Sequence, residues 1–332
     1  MKIAIVKLSA LGDIVHAMVV LEFIKKRNPE IIIDWVVDES CKELLDAHPD
    51  INKVHSVKLK TAKKKRSFFV LFEELRKINK LGQYDVVIDM QGLIKSVIIS
   101  RLISSPITLG FDKSSAREIV ASFFYNKTFK CDYAENIVER NLKLIGFALG
   151  INISKQEVQN KLPFLYSSQK YSTNKLSNIK KNILLIPGAS QKAKCYPINS
   201  LAKLTTLIDA NFLIIWGNSK EKIMAEELKE KGVNVSVFEK LSIGALKSLI
   251  SQVDLVIGPD TGPTHMAWAL NISSITLFGP TPGYRNTYVT KINKIIESKS
   301  KVDPLKIDWN DFSIKDIDIM EIFKISQDLL NK

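Results

Sequence analysis

No apolar run in the 332-residue chain reaches the ~18 residues that would suggest a membrane-spanning helix. The short run Met1–Val6 stops at Lys7 and has no small-residue cleavage site after it, so it reads as a strand rather than a signal peptide. Cysteine is scarce. Cys41, Cys131 and Cys195 are odd in number, widely spaced and form no C-x-x-C, which argues against a disulfide scaffold or a cysteine-rich zinc site and fits a reducing cytoplasm. The dinucleotide fingerprint G-x-G-x-x-G and the Walker A loop are both missing. There is no short-period repeat and no low-complexity tract.

Acidic residues are under-represented against basic ones, 35 to 48, giving a net charge of +13. The excess is spread evenly, with 25 basic against 19 acidic residues up to position 160 and 23 against 16 beyond it. No basic tail explains it, and it points to a polyanionic partner such as nucleic acid, an anionic membrane surface or a phosphorylated substrate. At 45% apolar and 25% charged, the composition is that of a globular protein rather than a disordered tail.

Apolar runs alternate with helical patterns. Ile3–Val6, Ile31–Val37 and Val86–Asp89 read as buried strands, with helices over Asp13–Lys26, Glu39–Ala47 and Phe68–Lys80. The rhythm repeats in the second half, with strands at Asn182–Ile186, Phe212–Trp216, Leu255–Ile257 and Ile275–Phe278. Alternation of this kind implies parallel sheets covered by helices on both faces. The expected fold class is α/β, with two Rossmann-like domains facing a central cleft. Their expected bounds are 1–166 and 178–332, joined by a polar linker at 167–177 and closed by an amphipathic helix at 314–330.

Ligands in open α/β sheets bind beyond the carboxyl ends of the strands, so the loops after the strands carry the chemistry. The first is Lys7-Leu8-Ser9-Ala10-Leu11-Gly12-Asp13. Asp13 sits where an N-cap would sit, and could equally present a proton-accepting carboxylate to the cleft. The second is Asp89-Met90-Gln91-Gly92-Leu93-Ile94-Lys95-Ser96, with Gln91 and Lys95 at its mouth. Arg117 beside Glu118 reads as a surface pair unless the loops bring it to the site. Lys58, Lys60, Lys63, Lys64, Lys65 and Arg66 fall within nine residues that contain no acid, directly before Phe68, Phe69 and Phe72. That run is either a solvated loop ahead of a core helix, or an anion-binding edge suited to phosphates and lipid headgroups.

In the second half, Pro187-Gly188-Ala189-Ser190 with Lys194 suits a diphosphate. Glu221, after Trp216-Gly217, could accept the hydroxyls of a ribose. In Gly258-Pro259-Asp260-Thr261-Gly262-Pro263-Thr264-His265, Asp260 is a plausible N-cap. The amides of Thr261, Gly262 and Thr264 then lie at a helix N-terminus that favours an anion. Phe278-Gly279-Pro280-Thr281 closes the series.

This ordered set resembles the lipopolysaccharide heptosyltransferases, inverting glycosyltransferases of the GT-B fold. The matching segments are KLSALGD at 7–13, DMQGLIKS at 89–96, SARE at 115–118, PGAS…K…P at 187–197, WG…E at 216–221, DTG..H at 260–265 and FGPT at 278–281. DMQGLIKS and SARE look closer to the enzymes that add the first heptose than to those that add the second. The resemblance implies an ADP-L-glycero-β-D-manno-heptose donor and a Kdo-lipid A acceptor. It implies Asp13 as the catalytic base and Ser190, Lys194, Glu221, Leu241, Asp260, Thr261, Gly262 and His265 as donor contacts. It also implies an acceptor face built from Lys63, Lys64, Lys65, Arg66, Lys95, Arg117 and Arg140. Ala189 stands where some members have a hydroxyl, Tyr196 where Trp is usual and Asn136 where His occurs in close relatives. No cofactor is implied. With no D-x-D near the diphosphate loops, metal-independent transfer is expected. The acceptor implies peripheral contact with an anionic inner membrane on its cytoplasmic face, in a Gram-negative cell. Rival readings are addition of the second heptose or use of another nucleotide sugar, an NAD-type oxidoreductase, and a non-enzymatic polyanion-binding protein. The missing dinucleotide motif disfavours the oxidoreductase, and no nucleic-acid fold signature supports binding to nucleic acid.

Overall fold

A computed structural model describes residues 1–167 and 171–331; the side chains of 63–65 lie outside what it describes. The chain divides into two compact units, Met1–Tyr166 and Ser167–Lys332. The first holds six strands: β1 (Lys2–Val6), β2 (Ile32–Asp38), β3 (Lys53–Val57), β4 (Val86–Asp89), β5 (Ile107–Phe111) and β6 (Lys127–Phe129). They lie in the order β3-β2-β1-β4-β5-β6, and every pairing is parallel. The second holds β7 (Asn182–Leu185), β8 (Asn211–Ile214), β9 (Val235–Val237), β10 (Leu255–Pro259), β11 (Ser273–Phe278) and β12 (Asn293–Glu297), ordered β12-β11-β10-β7-β8-β9 and again all parallel. Read from its own first strand, the second sheet has the same winding as the first, the doubly wound nucleotide-binding order.

That winding decides where a site can form. In each sheet the chain starts at the centre, winds outward one way, then returns to wind the other way. The reversal falls between β1 and β4 in the first unit and between β7 and β10 in the second. A crevice opens there at the carboxyl ends of the central strands. The four chemistry-bearing loops KLSALGD, DMQGLIKS, PGAS and DTGPTH follow those four strands.

The central strands are buried apart from Lys2 at the start of β1, as sheets covered on both faces require. Ala4, Val6, Val36 and Val87 anchor the first core, and Leu185, Phe212, Leu255 and Ile275 the second. The helix expected over Asp13–Lys26 begins at Leu11 and is interrupted at Val19, giving Leu11–Met18 and Val20–Arg27. The terminal helix expected from 314 begins at Ile319, after a 3-10 turn at Ser313–Asp316, because the Asp318 side chain caps the Met320 amide. Tyr171 and Lys175, within the segment read as a linker, bond Ser248 and the Val237 carbonyl in the second unit.

Lys161 is an outlier in the first unit: only 4% exposed, with its ammonium 5.0 Å from the centroid of the Phe164 ring. Burial pushes it down to about 7, against opposing support from Glu22. Between about pH 7 and 10.5 the folded chain therefore binds fewer protons than the unfolded one, so stability rises with pH across that window. Lys161→Met is expected to stabilise the fold by roughly 1–3 kcal/mol near pH 6, with the gain shrinking toward pH 10. Thermal melts across pH check this; a gain independent of pH would assign the effect to packing alone.

Candidate active site

In the first unit the site grows from the β1 and β4 loops. Gln91 clamps one to the other: its Oε1 accepts from the amides of Leu8 (2.7 Å) and Ser9 (3.2 Å), and its Nε2 donates to the Ser9 carbonyl (2.6 Å). Lys95 donates to Ser9 Oγ at 2.9 Å, and Lys7 reaches back to the Met90 carbonyl at 3.0 Å. Lys95, which taken singly reads as a solvated helix residue, is thus a second tie between the loops.

Asp13 is not the N-cap. Ala10 holds that position and Asp13 is third in the helix, its Oδ2 accepting from the Ala10 amide at 3.0 Å. The carboxylate supplies the returning half of a capping box, which fixes its orientation. Oδ1 has no partner among the described residues, and the side chain is half-buried. One oxygen is anchored and the other can accept a proton.

Behind the loops lies a buried carboxylate. Asp89 Oδ1 accepts from the amides of Gln91 and Gly92, and its Oδ2 accepts from Tyr125 at 2.8 Å. Burial pushes the Asp89 carboxyl up, against the lowering effect of these bonds, and pushes the Tyr125 phenol up as well. Gly110 makes room for the ring: a Cβ there would stand 2.3 Å from Tyr125. Gly92 takes φ +67°, which lets the loop turn back over Ala116 and Arg117.

Glu118 gives its carboxylate to the Ile94 amide at 2.7 Å rather than to Arg117, which is left exposed beside the DMQGLIKS loop. Arg140 is a correction. It is 3% exposed, donates to the carbonyls of Cys131, Asp132 and Ser115, and stacks on Phe111. A guanidinium committed to three carbonyls holds the 115–132 loops together and is not offered to a ligand. The basic run is helical over Leu59–Lys65, where a loop was one expectation. Lys60 pairs with Asp38 and Ser40, and Arg66 is exposed. The Lys63, Lys64 and Lys65 side chains fall outside the described ones. Asn136, at a position noted as a departure, caps the helix Ile137–Leu149.

In the second unit the centre is Asp260. It too was expected as an N-cap, but Thr261 takes that position. The Asp260 carboxylate is buried and has four partners: Lys194 Nζ (2.8 Å), Thr281 Oγ1 (2.9 Å) and Asn286 Nδ2 (3.3 Å) on Oδ2, and His265 Nε2 (2.9 Å) on Oδ1. Burial alone would raise this carboxyl. The Lys194 ammonium, helped by His265, outweighs burial and holds it well below the usual carboxylate range. Lys194, largely buried on the loop after β7, is thereby held against the loop after β10. Thr264 donates to the Pro259 carbonyl, and Gly258 leaves it space, since a Cβ there would lie 2.8 Å from its hydroxyl. The amides that open the helix Gly262–Ala269 therefore stand beside Lys194 without a side-chain cap, an arrangement that accepts an anion.

Around this centre, Ser190 is exposed on the β7 loop and Leu241 is half-buried after β9. Glu221 accepts from the Gly217 amide (2.6 Å) and from Asn218 Nδ2 (2.7 Å), and packs so closely on Gly188 that a Cβ there would lie 2.3 Å from its Cγ. Tyr196, another departure, donates to the Ile317 carbonyl and packs in the core. Thr281 is visible in the sequence only within FGPT, and Asn286 carries no local signal at all. Among the described residues no cluster of three or more His, Cys, Asp and Glu could hold a metal ion.

Residues 71–305 match glycosyltransferase family 9, described as heptosyltransferase. A lipopolysaccharide heptosyltransferase 1 of Campylobacter coli is 42% identical over 99% of this chain and 99% of its own length. The chain belongs to glycosyltransferase family 9. A family relative from Pseudomonas aeruginosa, also a lipopolysaccharide heptosyltransferase 1, is 28% identical over 87% of this chain and 81% of its own length. The E. coli heptosyltransferase WaaC, solved with ADP, has the same fold, with a TM-score of 0.81 at 23% identity over 99% of this chain and 100% of that one. As a family 9 member the protein is a glycosyltransferase.

Proposed function

We propose that the protein adds the first heptose of the lipopolysaccharide inner core, transferring L-glycero-D-manno-heptose from ADP-heptose to the Kdo of Kdo-lipid A with inversion. The observation that carries this reading is the 42% identity, over nearly the whole of both chains, to a heptosyltransferase 1. The geometry supports each half of it. The reaction is a single displacement at the anomeric carbon through an oxocarbenium-like transition state. Asp13, with one oxygen anchored and one free, takes the proton of the acceptor hydroxyl. As the bond to the diphosphate breaks, negative charge grows on ADP. The amides of Thr261 and Gly262 and the ammonium of Lys194 meet that charge without rearranging, since Asp260 already holds Lys194 in place. A lysine and helix-end amides perform the task a metal would otherwise perform, and transfer is proposed to need none. Ser190, Leu241 and Glu221 contact the donor, with Glu221 on the ribose. Lys95, Arg117 and the basic helix hold the acidic acceptor.

The protein works as a peripheral enzyme on the cytoplasmic face of the inner membrane, where a lipid-anchored acceptor is presented. No helix among the described residues is long and apolar enough to cross a membrane. The test is ADP release from ADP-heptose in the presence of a chelator, with Kdo-lipid A or with the same acceptor already carrying one heptose. Turnover on the unheptosylated acceptor alone is expected. Turnover on the heptosylated one alone would reassign the protein to the second transfer, and silence on both would overturn the donor or the acceptor.

A further inference from the structure

The first unit carries two exposed apolar ridges that the transfer chemistry leaves unused. Phe68, Phe69 and Phe72 project from the start of the helix Phe68–Asn79, with Phe68 87% and Phe69 74% exposed. Ile119, Phe123 and Phe124 project from the 3-10 turn Ile119–Phe124, with Phe123 73% exposed. Both elements pack against the helix Ile94–Leu102, so the ridges belong to one region of the surface. Exposed cations border them: Arg66 just before Phe68 and Arg117 just before Ile119. Two acids of this region turn inward: Glu74 is buried against Lys77 and the Lys58 amide, and Glu73 is half-buried near Lys77; Glu118, though exposed, is held by the Ile94 amide.

We propose that this face docks on an anionic bilayer, the two phenylalanine ridges entering the interfacial layer while the bordering cations meet lipid headgroups. Aromatic residues flanked by lysine and arginine have the composition of a surface that lies in the interface plane. A second copy of the chain fits less well. A two-fold self-contact would press one cation-bordered face onto an identical one, bringing positive charge to positive charge, whereas an anionic surface complements it. The inference deepens the membrane-acceptor reading by naming the residues that dock, and it predicts an apolar component of binding in addition to the electrostatic one.

The test uses the full chain with vesicles of phosphatidylcholine, alone or with phosphatidylglycerol. Phe69→Trp and Phe123→Trp should each shift to the blue and be quenched by brominated lipid in the anionic vesicles. The combined Phe68→Ser, Phe69→Ser, Phe72→Ser variant and the Phe123→Ser, Phe124→Ser variant should each bind anionic vesicles about tenfold or more weakly. Both should melt as the wild type does and keep its rate of ADP release with a deacylated Kdo acceptor. Unquenched tryptophans, or serine variants that bind vesicles as well as the wild type, would overturn the proposal. So would serine variants that turn a dimer into a monomer with vesicle binding unchanged, which would give the face to a second copy. Failure of the transferase reading is separable: the wild type would then release no ADP with the deacylated acceptor.

Discussion

Asp13→Asn is expected to lower kcat by about two to four orders of magnitude while leaving ADP-heptose affinity nearly unchanged. The asparagine carbonyl can still accept from the Ala10 amide, as Asp13 Oδ2 does, so the start of the helix is kept and only the base is lost. Asp13→Ala should show the same loss of turnover plus a stability cost of about 1 kcal/mol for the missing cap. The donor contacts proposed for Ser190, Lys194, Glu221 and Asp260 lie in the other unit, which is why donor binding should be spared. Steady-state kinetics with calorimetric titration of ADP-heptose separates the two effects. An Asp13→Asn enzyme within tenfold of wild type would remove Asp13 from the proton transfer. Lost donor affinity with a lowered melting temperature would reduce it to a helix cap.

Asp260→Ala is expected to produce the largest loss of stability in the second unit, about 3–5 kcal/mol, together with loss of donor binding. The carboxylate is buried with Lys194, Thr281, Asn286 and His265 on it. Removing it strands a largely buried ammonium and three further polar groups. Its depressed carboxyl sets the pH behaviour: the stability contributed is present above the ordinary unfolded carboxyl value near 4 and is lost only as pH falls through the much lower folded value. The difference between wild type and variant should therefore hold steady from about pH 5 to pH 8 as far as this group is concerned. Asp260→Asn, keeping hydrogen bonds but not charge, should fall between the two. Chemical denaturation and ADP binding measure both effects. A variant that unfolds like the wild type and still binds ADP would make the cluster a bystander.

Both expectations depend on features that were legible to different degrees. The strands read from apolar runs were β1, β2, β4, β7, β8, β10 and β11, all inside the sheets. The strands that escaped notice include all four sheet edges, β3, β6, β9 and β12. An edge strand is covered less, so KVHSV, KTF, VSV and NKIIE carry polar residues and lack a continuous apolar run. Strand β5, next to an edge and carrying Thr108 and Gly110, was missed for a similar reason: the glycine it needs to clear Tyr125 interrupts its apolar pattern.

The same division runs through the site. Short loops after buried strands, rich in glycine and carrying one acid, lysine or histidine each, were visible because apolar-to-polar punctuation is a local property. Local pattern was therefore enough for the α/β class, the loops that bear the chemistry, and Asp13, Lys194, Glu221 and Asp260 among their charged members. It could not say what each charge faces. Asp13 and Asp260 both had the local signature of an N-cap; in the fold, one is the third residue of its helix and the other joins Lys194, Thr281 and Asn286 across 66, 21 and 26 residues of chain. Arg140, as basic as Arg117, is turned inward onto three carbonyls. These roles emerge from the assembled sheets, because a side chain's partner is set by the crossing of strands far apart in sequence, and burial, not composition, decides whether its charge is used internally or offered to a ligand.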